Sequence, residues 1–153
     1  MRKIINIFII IQVLLMLASC SYRRTIDYSS PLSDAVKNKF PYIDSLNVYQ
    51  TTKPLTLEHR ISIGKSIWEE DEVEEVCQCV VSEWIEHYST DAINDGILSV
   101  EILFFETDND NKTRAYVESD SESSFENWSG YFYDYDPDRR DSKILEVKYT
   151  HNN

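Results

Sequence analysis

The stretch that decides the fold is residues 67–89, IWEEDEVEEVCQCVVSEWIEHYS, in which apolar side chains return every three or four positions. This spacing lays them along one stripe of a helix. The stripe consists of Val73, Val76, Cys77, Val80, Val81, Trp84, Ile85 and Tyr88. Ser66 and Glu69 form a capping-box pattern at its start. The sequence therefore predicts one long amphipathic helix, whose stripe needs a sheet to cover it.

Strand-like patterns lie on both sides of this helix. From Leu55 to Ile63, apolar and polar residues alternate, which predicts a half-buried strand. A shorter run, Leu46 to Thr51, is its predicted hairpin partner. After the helix, turn residues separate four further runs, at about 97–106, 112–118, 129–136 and 143–150.

These elements define an expected fold class. A short helix is predicted from Ser30 to Lys39, with Ser30 as its cap and Pro31 at its first position. The remaining order is ββαββββ. We therefore expect an α+β domain, with an antiparallel sheet of about five to six strands and the long helix packed on one face.

The first twenty residues have a different character. Arg2 and Lys3 precede an apolar run of 14 residues, Ile4 to Leu17, which is short for a spanning helix and typical of an export signal. Leu17-Ala18-Ser19-Cys20 resembles the lipobox of bacterial prolipoproteins. The resemblance implies cleavage before Cys20 and lipidation of its sulfur. An uncleaved signal anchor is the alternative.

The resemblance also implies an organisation and a location. Residues 1–19 are the expected signal peptide, residues 20–30 the lipidated cysteine and a polar tether, and residues 31–153 a single domain. Two or three acyl chains, of the palmitate type, give stable anchoring where one does not. The expected location is the cell membrane or outer membrane, with the domain facing outside the cytoplasm.

Charge limits the classes of partner. The chain of 153 residues has a net charge of −12, and without residues 1–19 it keeps 13 basic and 27 acidic side chains, a net charge of −14. Such a surface repels phosphate, so no nucleic-acid partner is expected. The acids are dense on the long helix, which has no Lys or Arg. They form either a solubilising face or a patch that steers a basic protein partner, and the candidate contacts are Glu72, Glu75, Glu83 and Glu86.

An aromatic strand is the second candidate surface. Tyr131, Tyr133 and Tyr135 share one face of their predicted strand. They are either cross-strand packing or, if exposed, a rigid contact surface of the kind that binding hot spots favour.

The chemistry-bearing residues point to no specific site. Asp134, Asp136 and Asp138 alternate as in a calcium loop, but Arg139 replaces the required glycine of an EF-hand. These residues are either a weak Ca²⁺ candidate or an ordinary acidic turn, and no other metal site is expected. Cys77 and Cys79 cannot bridge on a helix; Cys77 lies on the stripe, and Cys79 lies off it as a possible free thiol.

No catalytic motif or cofactor-binding motif was found in the sequence. His59 falls on the apolar face of its strand, which favours a buried or edge imidazole over a catalyst. The expected function is a non-enzymatic, membrane-anchored binding module for a basic protein, of an inhibitor or immunity type. The alternatives are a structural or assembly lipoprotein of the envelope and a small hydrolase that uses His59 with a nearby carboxylate.

Overall fold

The computed structural model describes residues 23–53, 56–133 and 142–149. In chain order the elements are β1 (Arg23–Thr25), α1 (Ser29–Lys39), β2 (Ser45–Lys53), β3 (Thr56–Lys65), α2 (Glu70–Asn94), β4 (Ile97–Glu106), β5 (Lys112–Asp120), a 3-10 turn (Ser121–Ser123), β6 (Asn127–Tyr133) and β7 (Ser142–Lys148). The predicted signal sequence and Cys20 lie outside the described residues.

The strands form one mostly antiparallel sheet, so the predicted α+β class is confirmed. Seven strands lie side by side in chain order, one more than the upper end of the prediction. The pairing of β3 with β4 is parallel, whereas the other five pairs are antiparallel. The prediction of an antiparallel sheet was wrong at this pair, because α2 crosses from the end of β3 back to the start of β4.

The predicted tether over residues 20–30 is replaced by regular structure from residue 23, where β1 begins. Arg23, Arg24 and Thr25 pair with Thr51, Gln50 and Tyr49 of β2, and α1 begins at Ser29. The pairing uses backbone groups, and an edge strand of three residues needs no apolar periodicity. The segment is therefore part of the domain from residue 23.

The long helix is confirmed, but both of its ends differ from the prediction. It begins after Glu69, whose side chain and that of Glu72 form the capping box, instead of the predicted pair at Ser66 and Glu69. Trp68 leaves the helical path because its buried backbone N–H donates to Glu106 and its indole N–H donates to the Phe105 carbonyl. The helix ends at Asn94 and not at Ser89.

α1 also begins earlier than predicted. Tyr28 is its N-cap residue, so Ser30 and Pro31 lie inside the first turn. Ser29 is buried, and its hydroxyl accepts from the Val48 backbone N–H of β2. This contact fixes the start of α1 against the sheet.

One face of the sheet carries both helices and the core. α1 contacts α2 and β2, while α2 contacts β4 and β7. The core contains the stripe predicted for α2 from Val73 to Trp84, together with Ile61, Ile102 and Phe104 from the central strands. Ile85 and Tyr88 are partly buried against it. None of the described helices covers the opposite face of the sheet.

Within the described residues, the structure has no helix that is both long enough and apolar enough to cross a membrane.

Candidate functional site

The outer face of α2 presents the acids that the sequence singled out, but they differ in their contacts. Glu72 accepts from the Glu69 backbone N–H and forms an ion pair with Lys65 of β3. Glu83 lies 3.6 Å from the imidazole of His87, and the Tyr149 hydroxyl donates to Glu86 at 3.5 Å. Glu75 is exposed. Glu72 therefore stabilises the start of the helix, whereas Glu75, Glu83 and Glu86 are accessible to a partner.

A groove between α2 and β7 adds further acids to this surface. It has a volume of about 370 Å³ and is lined by Asp71, Glu74, Glu75, Gln78, Glu146 and Val147. Glu146 comes from the edge strand and was not predicted. Its position in the alternating run of β7 was visible in the sequence, but the approach of β7 to α2 was not. We call the outer face of α2 together with this groove the acidic surface.

The acidic surface influences a nearby tyrosine. Desolvation raises the pKa of Tyr149, and the negative charges of Glu86 and Glu126 raise it further. A phenol that resists ionisation here is consistent with a negative local potential.

The predicted tyrosines lie on the opposite face of the sheet from α2. Tyr131 and Tyr133 are 46% and 41% exposed, and Ile144, which pairs with Tyr131, is 71% exposed. Tyr135 lies outside the described residues. The structure therefore does not bring Tyr131 and Tyr133 together with the helix acids into one surface.

The same open face holds a charged network that the sequence analysis missed. Arg60 donates to Glu101 at 2.6 and 2.9 Å and to Glu58 at 3.2 Å. Glu58 and Glu101 are buried, and the Thr51 hydroxyl donates to Glu58 at 2.7 Å. Tyr116 donates to Glu118 at 2.5 Å and to Glu101 at 3.3 Å, and burial, followed by these two carboxylates, raises its pKa. Because these residues come from neighbouring strands, only the sheet register reveals them.

His59 is buried as predicted, under a pocket at the C-terminal end of α2. It is 3% exposed, hydrogen-bonds to the Tyr28 hydroxyl and lies edge-on to Trp84. Burial lowers the pKa of His59 to about 4 against the attraction of Asp95. The pocket has a volume of about 360 Å³, and its lining includes His59, Asp91 and Asp95. Its carboxylates line the same pocket as the predicted hydrolase residue.

Both cysteines of α2 are free thiols inside the core or at its margin. Cys77 is fully buried, and Cys79 is 9% exposed, so the prediction that Cys79 lies off the buried stripe was wrong. The reason is α1, which packs beside α2 and widens the covered part of the helix. Burial raises the pKa of both thiols, which leaves them protonated at neutral pH.

The weak calcium candidate, Asp134, Asp136 and Asp138, lies outside the described residues. In the part of the chain that the structure describes, no three His, Cys, Asp or Glu side chains are placed to hold a metal ion.

Comparisons with known proteins give a similar structure but no family. No protein-family description matches the chain, and no curated protein matches it. A solved structure of a sex pheromone precursor from Lactobacillus salivarius is similar over 65% of this chain and 30% of that one, with 22% identity and a TM-score of 0.40. At that score the likeness carries no argument. The class that the fold and site define is thus an acidic α+β domain with one covered sheet face.

Proposed function

We propose that this protein is a lipid-anchored, non-enzymatic binding module that docks a basic protein partner outside the cytoplasm, as an inhibitor or immunity protein does. The observation that carries the proposal is the acidic surface. Asp71, Glu74, Glu75 and Glu86 are all exposed there. A concentration of charge of one sign accelerates association with a partner of the opposite sign and rejects partners of the same sign.

Folding does not account for these acids. The acids in the first turn of α2 interact favourably with the helix dipole. Asp71 and Glu75, however, repel each other at a spacing of four residues, which lowers the stability of the helix by a few tenths of a kcal/mol, about the size of one such pair. Glu75 and Glu86 lie beyond the first turn, where the dipole no longer favours an acid. Their presence supports a role in binding.

The experiment is a capture from envelope and culture fractions with the full chain in uncharged detergent, washed at about 50 mM and about 500 mM salt, where the screening lengths differ about threefold. The variant is Glu75→Gln with Glu86→Gln. The matched control is Asp34→Asn with Glu122→Gln, which removes two exposed charges outside the acidic surface. We expect the partner to be lost at high salt and from the first variant alone. Retention by both variants at both salt concentrations would contradict the proposal.

Anchoring is proposed through lipid on Cys20. Because Cys77 and Cys79 are buried and their thiols stay protonated, a lipid label should report on Cys20 selectively. Growth with an alkyne analogue of palmitate should label the wild type and Cys79→Ser but not Cys20→Ser. Label on the Cys20→Ser protein would show that the lipid is attached to another residue.

A second candidate function follows from the open face. Tyr131, Tyr133 and Ile144 form an exposed apolar row, which favours a structural or assembly lipoprotein that holds an envelope protein by apolar contact. Tyr131→Ala with Tyr133→Ala would then abolish capture, and the captured partner would survive high salt.

A further inference from the structure

The two edges of the sheet are not equivalent. Among the described strands, β7 pairs with β6 alone, and alternate residues of such an edge turn their N–H and C=O groups outward. The opposite edge, β1, has three residues, with Arg23 over the Tyr49 ring and Arg24 bonded to Gln50. A short, charged edge resists further pairing. β7 has seven residues and is the longer template.

α2 runs beside β7 along the length of that strand. Near one end Glu70 forms an ion pair with Lys143, and near the other Glu86 accepts from Tyr149. The helix advances about 24 Å between Glu70 and Glu86, and the strand advances about 20 Å between Lys143 and Tyr149. The two elements therefore run in the same direction, and the outer face of α2 follows the edge.

The groove between them sets the chemistry of a strand added at this edge. One acid of its lining, Glu146, points its side chain to the opposite face of the sheet, as Ile144 does. The other three acids, Asp71, Glu74 and Glu75, belong to α2, and no Lys or Arg belongs to the lining within the described residues. Every second side chain of an added strand would point toward the helix side and meet these carboxylates. A segment with Lys or Arg at alternate positions matches this arrangement.

A second copy of the chain matches it poorly. It would bring the acids of its own α2 to the same edge, and like charges repel each other there. Charge complementarity thus selects a basic occupant over a self-pairing dimer.

We infer that β7 is the docking edge for the partner, which adds an extended basic segment to the sheet as an eighth strand, with alternate Lys or Arg side chains facing the acids of α2. This inference rests on the proposed function, because it specifies how the basic partner is held. Backbone hydrogen bonds give the affinity, and the carboxylates give the charge specificity.

The test uses synthetic peptides with the full chain in uncharged detergent. The probe is an eight-residue peptide of alternating lysine and threonine. Two analogues carry N-methyl groups, one on the lysine amides and one on the threonine amides. Only one of these sets faces β7 in an added strand, so one analogue should bind at least about tenfold more weakly and the other should keep most of its affinity. The amides of β7 should also gain protection from hydrogen exchange.

Charge variants make the test residue-specific. Asp71→Asn with Glu74→Gln should weaken the unmethylated peptide about three- to tenfold. The control Asp34→Asn with Glu122→Gln should not weaken it. An otherwise identical peptide with glutamate in place of lysine should fail to bind.

Each other outcome overturns the inference. Equal binding of both methylated analogues without protection of β7 means that charge alone attracts the peptide, and the proposed function would stand without strand addition. Protection of β7 without peptide, together with sedimentation as a dimer, makes a second copy the occupant. Absence of peptide binding removes the edge from consideration, and the salt-dependent capture then decides the proposed function separately.

Discussion

The inner face of α2 is apolar and buried, whereas its outer face is acidic and open to solvent. Val73, Val76 and Trp84 have no exposed surface, while Glu75 and Glu86 are exposed and lie beyond the first turn. Burial of the first group stabilises the domain, and repulsion within the second slightly destabilises it. The difference teaches that stability accounts for one face of this helix and that binding is the better explanation for the other.

The largest effect is expected on the inner face, from Trp84→Ala. Trp84 is fully buried and packs edge-on against Phe125 at 5.0 Å and Trp128 at 6.3 Å. Its removal leaves a cavity and should lower the free energy of unfolding by about 3–5 kcal/mol. Urea unfolding at pH 7 measures this. The control Tyr131→Ala, on the open face, should cost about 1 kcal/mol or less, and similar losses for both variants would erase the difference between the faces.

A pH-dependent effect comes next, from His59 beside Trp84. The pKa of His59 is lowered from 6.5 to about 4 in the folded protein, so below pH 6.5 the unfolded chain binds more protons than the folded one. Stability is therefore lost as the pH falls from about 6.5 toward about 4. Between pH 7 and pH 5 the loss from this group should be about 2 kcal/mol.

The comparison that isolates His59 is with His59→Gln, whose side chain does not titrate. Urea unfolding at pH 7 and pH 5 should show a smaller decrease for this variant than for the wild type. Equal decreases would mean that His59 is protonated as easily in the folded state as in the unfolded state.

A smaller effect is expected where the two faces meet, at the start of α2. Glu72→Ala removes both the capping box and the ion pair with Lys65, and should cost about 1 kcal/mol. Glu72→Gln keeps a capping side chain and loses only the charge, so about 0.5 kcal/mol is expected. Thermal unfolding should rank the alanine variant below the glutamine variant. Equal losses for the two variants would contradict a contribution from the capping side chain and assign the stabilisation to the ion pair, which both variants lack.

The smallest effect on stability is expected on the outer face. Glu75→Gln with Glu86→Gln should change the free energy of unfolding by less than about 0.5 kcal/mol, and relief of repulsion favours an increase. Urea unfolding beside the wild type measures this. A loss above about 1 kcal/mol would show that these acids serve the fold.

The features that were predicted correctly from the sequence are those that depend on local periodicity. The three- to four-residue spacing predicted α2 and its stripe, and strict alternation predicted the β2–β3 hairpin. The position of His59 on the apolar face of its strand predicted its burial. Each of these depends on residues close together in the chain.

What escaped the sequence analysis depends on contacts between distant residues. The parallel pairing of β3 with β4 follows from the path of α2, and three residues of β1 carry no pattern that marks a strand. Arg60 and Glu101 meet across 41 positions, and no spacing rule connects them. The groove was missed for the same reason, since β7 approaches α2 only when the sheet is assembled.

The most direct test of the central claim is the affinity of the captured partner for Glu75→Gln with Glu86→Gln, measured by calorimetry at about 50 mM and about 500 mM salt. If these acids serve binding, the partner should bind the wild type tightly only at low salt. At low salt it should bind this variant several-fold more weakly than the wild type. The variant should remain as stable as the wild type. An unchanged affinity at low salt, with the variant fully folded, would contradict a binding role for the outer face of α2.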